Sequence, residues 1–274
     1  MDDDKKTTDL AAPNAAANAL AQADFGEHAG KGFENQTTDD FAIPFLGLCQ
    51  ALSPEIEEGG EKQIPGAKDG SLFNTVTKEL LPETVYFVPC TTSHVYVEWV
   101  PRDDGGGFVG VHDINSPFVK ACKEKAEAFN DIKTDEGHEL IETFYIYGLQ
   151  IEGPTATASV TPMVIAFTST KIKKYKSLMT TLRTIKGDPP MYAFRVGISS
   201  CKDKNKKGQP FKNFDIRPAV GESIMESANL PGTPFEGLFT EGKALVEAVD
   251  GGLAKADYAS QGANTPEGDN DEVF

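Results

Sequence analysis

The sequence predicts a mainly β domain of the α+β class: an OB-like five-stranded barrel with an added basic helix and β-hairpin, flanked by disordered termini. Three observations carry this expectation. Apolar residues in the middle of the chain recur with period two. The strong elements run strand, strand, strand, helix, strand, strand. Both ends are polar and too poor in large apolar residues to order themselves. At 274 residues and 39% apolar, the chain can bury one core of about 150–220 residues. The expected organisation is an N-terminal arm over 1–40, an OB-like domain over 41–235, a C-terminal helix over 236–258 and an acidic tail over 259–274.

The elements follow in order. Phe41-Ala42-Ile43-Pro44-Phe45-Leu46-Gly47-Leu48 opens the apolar pattern, and residues 84–89 read as a strand. Val95, Val97 and Trp99 alternate with His94, Tyr96 and Glu98, which is a half-buried strand. Gly105-Gly106-Gly107 turns the chain into a strand over 108–112. Ser116-Pro117 is an N-cap followed by proline at the first helical position, and starts a helix running to about Asn130. Residues 139–151 and 158–168 are two further strands joined near Gly153-Pro154. A basic amphipathic helix over 169–185 puts Ile172, Tyr175, Met179 and Leu182 on one face. Residues 191–200 and 211–217 form a hairpin around a Lys-rich loop, and a last helix covers about 236–249.

Charge is the most informative feature. The chain has 26 basic and 42 acidic residues, a net of −16. Residues 171–217 alone hold 13 Lys/Arg and only three acids, Asp188, Asp203 and Asp215. Half of all positive charge therefore sits in one sixth of a chain that elsewhere repels polyanions, which points to a polyanion site. The helix supplies Lys171, Lys173, Lys174, Lys176, Arg183 and Lys186, and the hairpin supplies Arg195, Lys202, Lys204, Lys206, Lys207, Lys212 and Arg217. Aromatic residues interleave with them. Rings beside cations are what single-stranded nucleic acid needs, at about 1–3 kcal/mol per stacked base. Phe194, Phe211 and Phe214 are the first candidates for stacking; Trp99 and Tyr145 come next, beside Tyr96 and Tyr147.

Other chemistry finds little support. The four cysteines (Cys49, Cys90, Cys122, Cys201) and four histidines contain no CxxC, HExxH or HxH spacing, so no metal and no cofactor are expected. The scattered cysteines read as reduced thiols. Gly105-Gly106-Gly107 lacks the spacing of a phosphate-binding loop, no GxSxG is present, and Glu57-Glu58 and Asp103-Asp104 fall in loops. No enzyme is expected. No apolar run reaches 18 residues and the first six residues lack an apolar segment, so neither a membrane span nor a secretory signal is expected, and a cytoplasmic location follows.

The tail closes on Glu267, Asp269, Asp271, Glu272, Val273 and Phe274. A terminal aromatic carboxylate behind four acids is a compact ligand for a partner's apolar pocket lined with cations.

This ending, with the basic aromatic segment and the OB-like middle, resembles the single-stranded DNA-binding proteins of replication, especially those encoded by tailed bacteriophages. Bacterial members end in acids closed by Ile-Pro-Phe. In Asp271-Glu272-Val273-Phe274 the acids and terminal Phe carry over and the proline does not. The longer domain and polar N-terminal arm also depart from the bacterial type. Separately, Gly32-Phe33-Glu34-Asn35, residues 41–46, Ser53-Pro54-Glu55 and Val97-Glu98-Trp99-Val100-Pro101-Arg102 are similar to a group of uncharacterised phage early proteins. The first resemblance implies a non-enzymatic protein that coats transient single-stranded DNA in an infected bacterial cell. It further implies that the tail recruits polymerase, primase or helicase, and it is compatible with a homo-oligomer. Two other readings stay open: a virion assembly factor or host-enzyme inhibitor that binds no DNA, and a metal-dependent enzyme acting on nucleic acid.

Overall fold

A computed structural model describes residues 42–128, 131–157, 159–205 and 208–261. The expectations for the N-terminal arm, for the tail residues Glu267, Asp269, Asp271, Glu272, Val273 and Phe274, and for Lys206 and Lys207 lie outside these residues.

The chain is mainly β. Among the described residues ten strands run in order: β1 (Ala42–Ile43), β2 (Leu46–Leu48), β3 (Leu72–Asn74), β4 (Thr84–Val100), β5 (Gly107–Asp113), β6 (Glu139–Ile151), β7 (Val160–Thr168), β8 (Val196–Lys204), β9 (Pro210–Pro218) and β10 (Lys255–Ala256). Among the described residues four α-helices join them: α1 (Pro117–Lys125), α2 (Ile172–Arg183), α3 (Glu236–Asp250) and α4 (Tyr258–Gln261). The main sheet has six strands in the order β7-β6-β4-β8-β9, with β5 added to β4, and every pairing in it is antiparallel.

Strand β4 explains where the expected topology fails. Residues 84–89 and 95–99 are not two strands. They are the two ends of one 17-residue strand. Pro89 and the polar run after it read as a break, yet the ladder with β6 continues through a bulge between Pro89 and Thr91. Gly148 faces that bulge, and a side chain there would run into the Val88 carbonyl and the Phe87 ring. The order before β8 is therefore strand, strand, helix, strand, strand. The six-strand ladder is open, and among the described residues β7 and β9 do not pair with each other. The OB-like barrel is replaced by an open mixed-neighbour sheet, in which β4 borders β8 near its start and β5 near its end.

Both faces of the sheet are covered. One carries Phe87, Ile146, Ile165, Phe167, Val196, Ile198 and Phe214, roofed by Leu178 and Leu182 of α2 and by Leu46, Leu48 and Leu72 of the β2–β3 hairpin. The other carries Phe45, Val97, Trp99, Tyr145, Tyr147 and Val164, roofed by Leu238 and Leu245 of α3. Each such side chain contributes about 1.5–3 kcal/mol by leaving water. Residues 258–261, which span the expected junction of the C-terminal helix and the tail, are docked as α4. Tyr258 Oη lies 3.0 Å from Tyr147 Oη, Ser260 Oγ 2.9 Å from Thr75 Oγ1, and Tyr145 donates to Gln261 Oε1 at 2.7 Å. Strand β10 runs parallel to β1, which puts Lys255 beside Ala42.

The edges of the sheet are managed by side chains. Lys212 of β9 gives its N–H to Gln50 Oε1 and receives a bond from Gln50 Nε2 at its carbonyl, both 2.9 Å. Its backbone therefore points away from β8. Period two turns Pro210, Phe214, Ile216 and Pro218 outward as well: the prolines have no N–H to lose, and Phe214 N–H is taken by Asn213 Oδ1 at 2.8 Å. On β7, Val164 N–H points outward to the Pro44 carbonyl at 2.9 Å, and Pro162 shares that orientation. Phe45 and Gln50 thus touch opposite edges. Five residues reach at most about 18 Å, close to four strand spacings, so this segment crosses the sheet almost straight.

Candidate nucleic-acid interface

Helix α2 and the β8–β9 hairpin form adjoining parts of one basic surface. Helix α2 follows a 3-10 turn, Ser169–Lys171, and buries Ile172, Leu178 and Leu182, with Tyr175 and Met179 half-buried beside them. That stripe turns Lys173, Lys176 and Arg183 to solvent, with Lys186 exposed just beyond the helix. In the hairpin, Lys202 and Lys204 are exposed and alternate with half-buried Cys201 and Asp203. The loop closes by reciprocal bonds between Asn205 and Gln209, with Gly208 at a φ of 80° that favours glycine.

The two parts lie within each other's field. Asp203 is held below its ordinary carboxylate value chiefly because Asn213 Nδ2–H donates to it at 2.9 Å, against the effect of its own desolvation. The Lys204 N–H bond and the charges of Lys174 and Lys173 add to the lowering, and α2 is in contact with β9. Among the described residues, Lys173, Lys174, Lys176, Arg183, Lys186, Lys202 and Lys204 have no acidic ion-pair partner. Lys212 reaches Asp69 at 3.5 Å, and Arg217 bonds Asp215 at 2.7 Å. The Arg217 pair is solvent-exposed and weak enough to exchange for a phosphate.

Five of the expected contacts are corrected by burial. Phe194 and Phe214 are each 1% exposed. Phe194 closes the 3-10 turn Met191–Ala193 and bridges to Ala228, so its ring enters the core. Phe214 packs edge-on against Phe167 with centroids 5.8 Å apart. Phe211 and Phe214 stand at opposite parity on β9, so one had to point inward; Phe211 remains half-buried. Trp99 packs against Phe108, and Tyr145 is fully buried beneath α4. None of these four rings offers a face to a base.

Arg195 is the fifth correction. Its side chain is buried, with Nη1–H donating to the Pro154 carbonyl at 2.7 Å, Nε–H to the Ser227 carbonyl at 3.4 Å, and its guanidinium 3.5 Å from the Phe235 ring centre. It is a clamp between loops, not a phosphate ligand. Nothing in a linear pattern marks one Arg of thirteen basic residues as buried. Lys171 is intermediate: half-buried, its Nζ lies 5.0 Å from the centre of the Phe214 ring, and burial lowers its pKa to about 8.

The remaining polar chemistry is small. Glu98 accepts from His112 Nε2 at 2.7 Å and from His138 Nδ1 at 2.6 Å, and His94 Nε2 lies 2.8 Å from Glu142. Among the described residues no three His, Cys, Asp or Glu side chains converge as metal ligands. No described helix is long and apolar enough to cross a membrane.

The architecture is that of a mainly β protein with one basic face, formed by a helix and an adjoining hairpin. Residues 12–255 match the family described as Pam3 phage gp34-like protein, and the chain belongs to that family. The description is that of a phage protein. No curated protein matches this chain, and no solved structure does.

Proposed function

We propose that this protein binds single-stranded DNA, without strong sequence preference, through the basic face of α2 and the β8–β9 hairpin. It does so during phage DNA replication or recombination. The observation that carries the reading is the segregation of charge: residues 171–217 hold half of all basic residues in a strongly acidic chain, and six of them, on α2, just beyond it and on β8, are exposed with no acidic ion-pair partner among the described residues. Each phosphate met there releases counterions, so affinity falls steeply with salt. Contact is chiefly with the backbone, because the rings are buried, and Phe211 is the one expected stacking residue left at the surface. The acidic tail ending in Phe274 recruits replication proteins.

The test is fluorescence anisotropy of labelled dT oligonucleotide, matched duplex and RNA at two salt concentrations. Salt-sensitive binding that prefers the single strand supports the reading. Deleting residues 267–274 should preserve or tighten binding at low salt, and loss of binding would contradict a tail that serves partners.

The burial of Phe194, Phe214, Trp99 and Tyr145 favours a second reading, in which the basic face meets an acidic protein surface. Absence of binding to all three nucleic acids at low salt would select it.

A further inference from the structure

The basic face is short of apolar surface, because Phe211 is the one ring of the expected stacking set that stays half-buried outside the core. An apolar side chain that the core does not use is held beside the hairpin instead. Leu52 is 82% exposed, the most open of the large apolar side chains among the described residues, and Ala51 before it is exposed too. A single exposed leucine is common and means little by itself. Leu52 differs in how it is held and in what it is held against.

Ala51 and Leu52 form the tip of a four-residue turn that is closed twice. Ser53 N–H donates to the Gln50 carbonyl at 3.0 Å, and Gln50 N–H donates to Ser53 Oγ at 2.8 Å. Ser53 is buried, and the ring of Pro54 fixes the φ of the next residue, which stiffens the exit from the turn. The Gln50 side chain in turn bonds both outward backbone groups of Lys212 on β9. The turn is thus attached to the outer edge of the basic hairpin. By the reach of two residues and one glutamine side chain, Leu52 lies within about 15 Å of the Lys212 backbone. Lys212 stands opposite Lys202, and period two puts Lys204 on the same face. Asp69 occupies the Lys212 ammonium at 3.5 Å, which leaves Lys202 and Lys204 to meet phosphates.

We propose that the Ala51-Leu52 turn is a base-contacting element of this interface, with Leu52 lying against a base of a strand whose phosphates meet Lys202 and Lys204. The inference rests on the single-strand reading of the basic face and supplies the base contact that the buried rings do not. Covering the flat face of a base with leucine removes apolar surface of both from water. In a duplex those faces are stacked on one another, so the contact favours the single strand. It meets no base edge, so it carries no sequence preference. The turn is already ordered, so little conformational freedom is lost when a base arrives. Leu52 is uncharged and adds affinity without adding to the salt dependence.

The experiment is anisotropy of the full chain with a labelled dT oligonucleotide and with an abasic strand of equal length, across a salt series. Leu52→Ala should weaken dT binding about three- to tenfold at an unchanged salt slope, and should leave binding to the abasic strand as in the wild type. Leu52→Trp should tighten dT binding, since a ring is the better platform. Melting temperatures of the three proteins should agree, because the side chain lies outside the core. Equal dT affinity for the wild type and Leu52→Ala would overturn the proposal, as would an equal loss on both strands, while salt-dependent binding to the basic face would stand. Absence of wild-type binding to either strand would overturn the proposal together with the reading on which it rests.

Discussion

Gln50 and Lys212 are bonded as two strand residues would be. The Gln50 carboxamide accepts from the Lys212 N–H and donates to its carbonyl, at 2.9 Å each way, across 162 residues of sequence. One side chain thereby ends the sheet and ties the basic hairpin to the β2–β3 strap. Gln50→Ala should cost about 1–3 kcal/mol for the two lost bonds, since the Lys212 groups are left half-buried and unpaired. A urea titration gives the loss, and hydrogen exchange at the Lys212 amide should accelerate. An unchanged midpoint would mean that water replaces the carboxamide at no cost.

Arg195 separates stability from binding. Arg195→Met should lower the unfolding midpoint, because the Pro154 and Ser227 carbonyls lose their donors and the Phe235 ring its cation. The salt slope of DNA binding should stay as in the wild type. A shallower slope without loss of stability would return Arg195 to the interface.

Thiol titration reads the core. Burial pushes Cys49 and Cys90 up to about 12 and raises Cys122 as well, and all three are buried, whereas Cys201 is half-buried. At pH 8 an aromatic disulfide reagent should label one thiol in the folded protein and four after unfolding. Rapid labelling of two or more would contradict this packing.

Lys171 gives a pH dependence of definite sign. Its native pKa of about 8 lies below the ordinary 10.5, so the unfolded chain binds more protons between those values. The penalty of burying the ammonium is complete below about pH 8 and disappears as pH rises through that window. Lys171→Met should therefore exceed the wild type in stability at pH 7, with the advantage shrinking towards pH 10.5. Comparing the two proteins cancels the thiols, whose raised values act in the opposite direction. A difference that stays constant over this range would contradict the assignment.

Much of the secondary structure was legible because it rests on local signals. Ser116 does cap α1, its Oγ accepting from Val119 N–H at 3.2 Å, and Glu139–Ile151 follows the expected bounds of its strand. Strand β4 was misread because Pro89 is a local signal that a bulge overrides. The rings and Arg195 were misassigned for a related reason. Composition locates a basic aromatic segment, while tertiary packing decides which face of each strand is covered. The β2–β3 strap, the Gln50 bonds and the α4 clasp depend on contacts between distant residues and have no periodic signature.

The most direct test of the basic face compares dT-oligonucleotide binding by the wild type and by the triple variant Lys173→Glu, Lys176→Glu and Lys204→Glu across a salt series. The account predicts salt-dependent wild-type binding, weakened at least tenfold in the variant, with a salt slope shallower by about 2 from three lost phosphate contacts. Equal affinity and equal slope for the two proteins, with both folded, would contradict it.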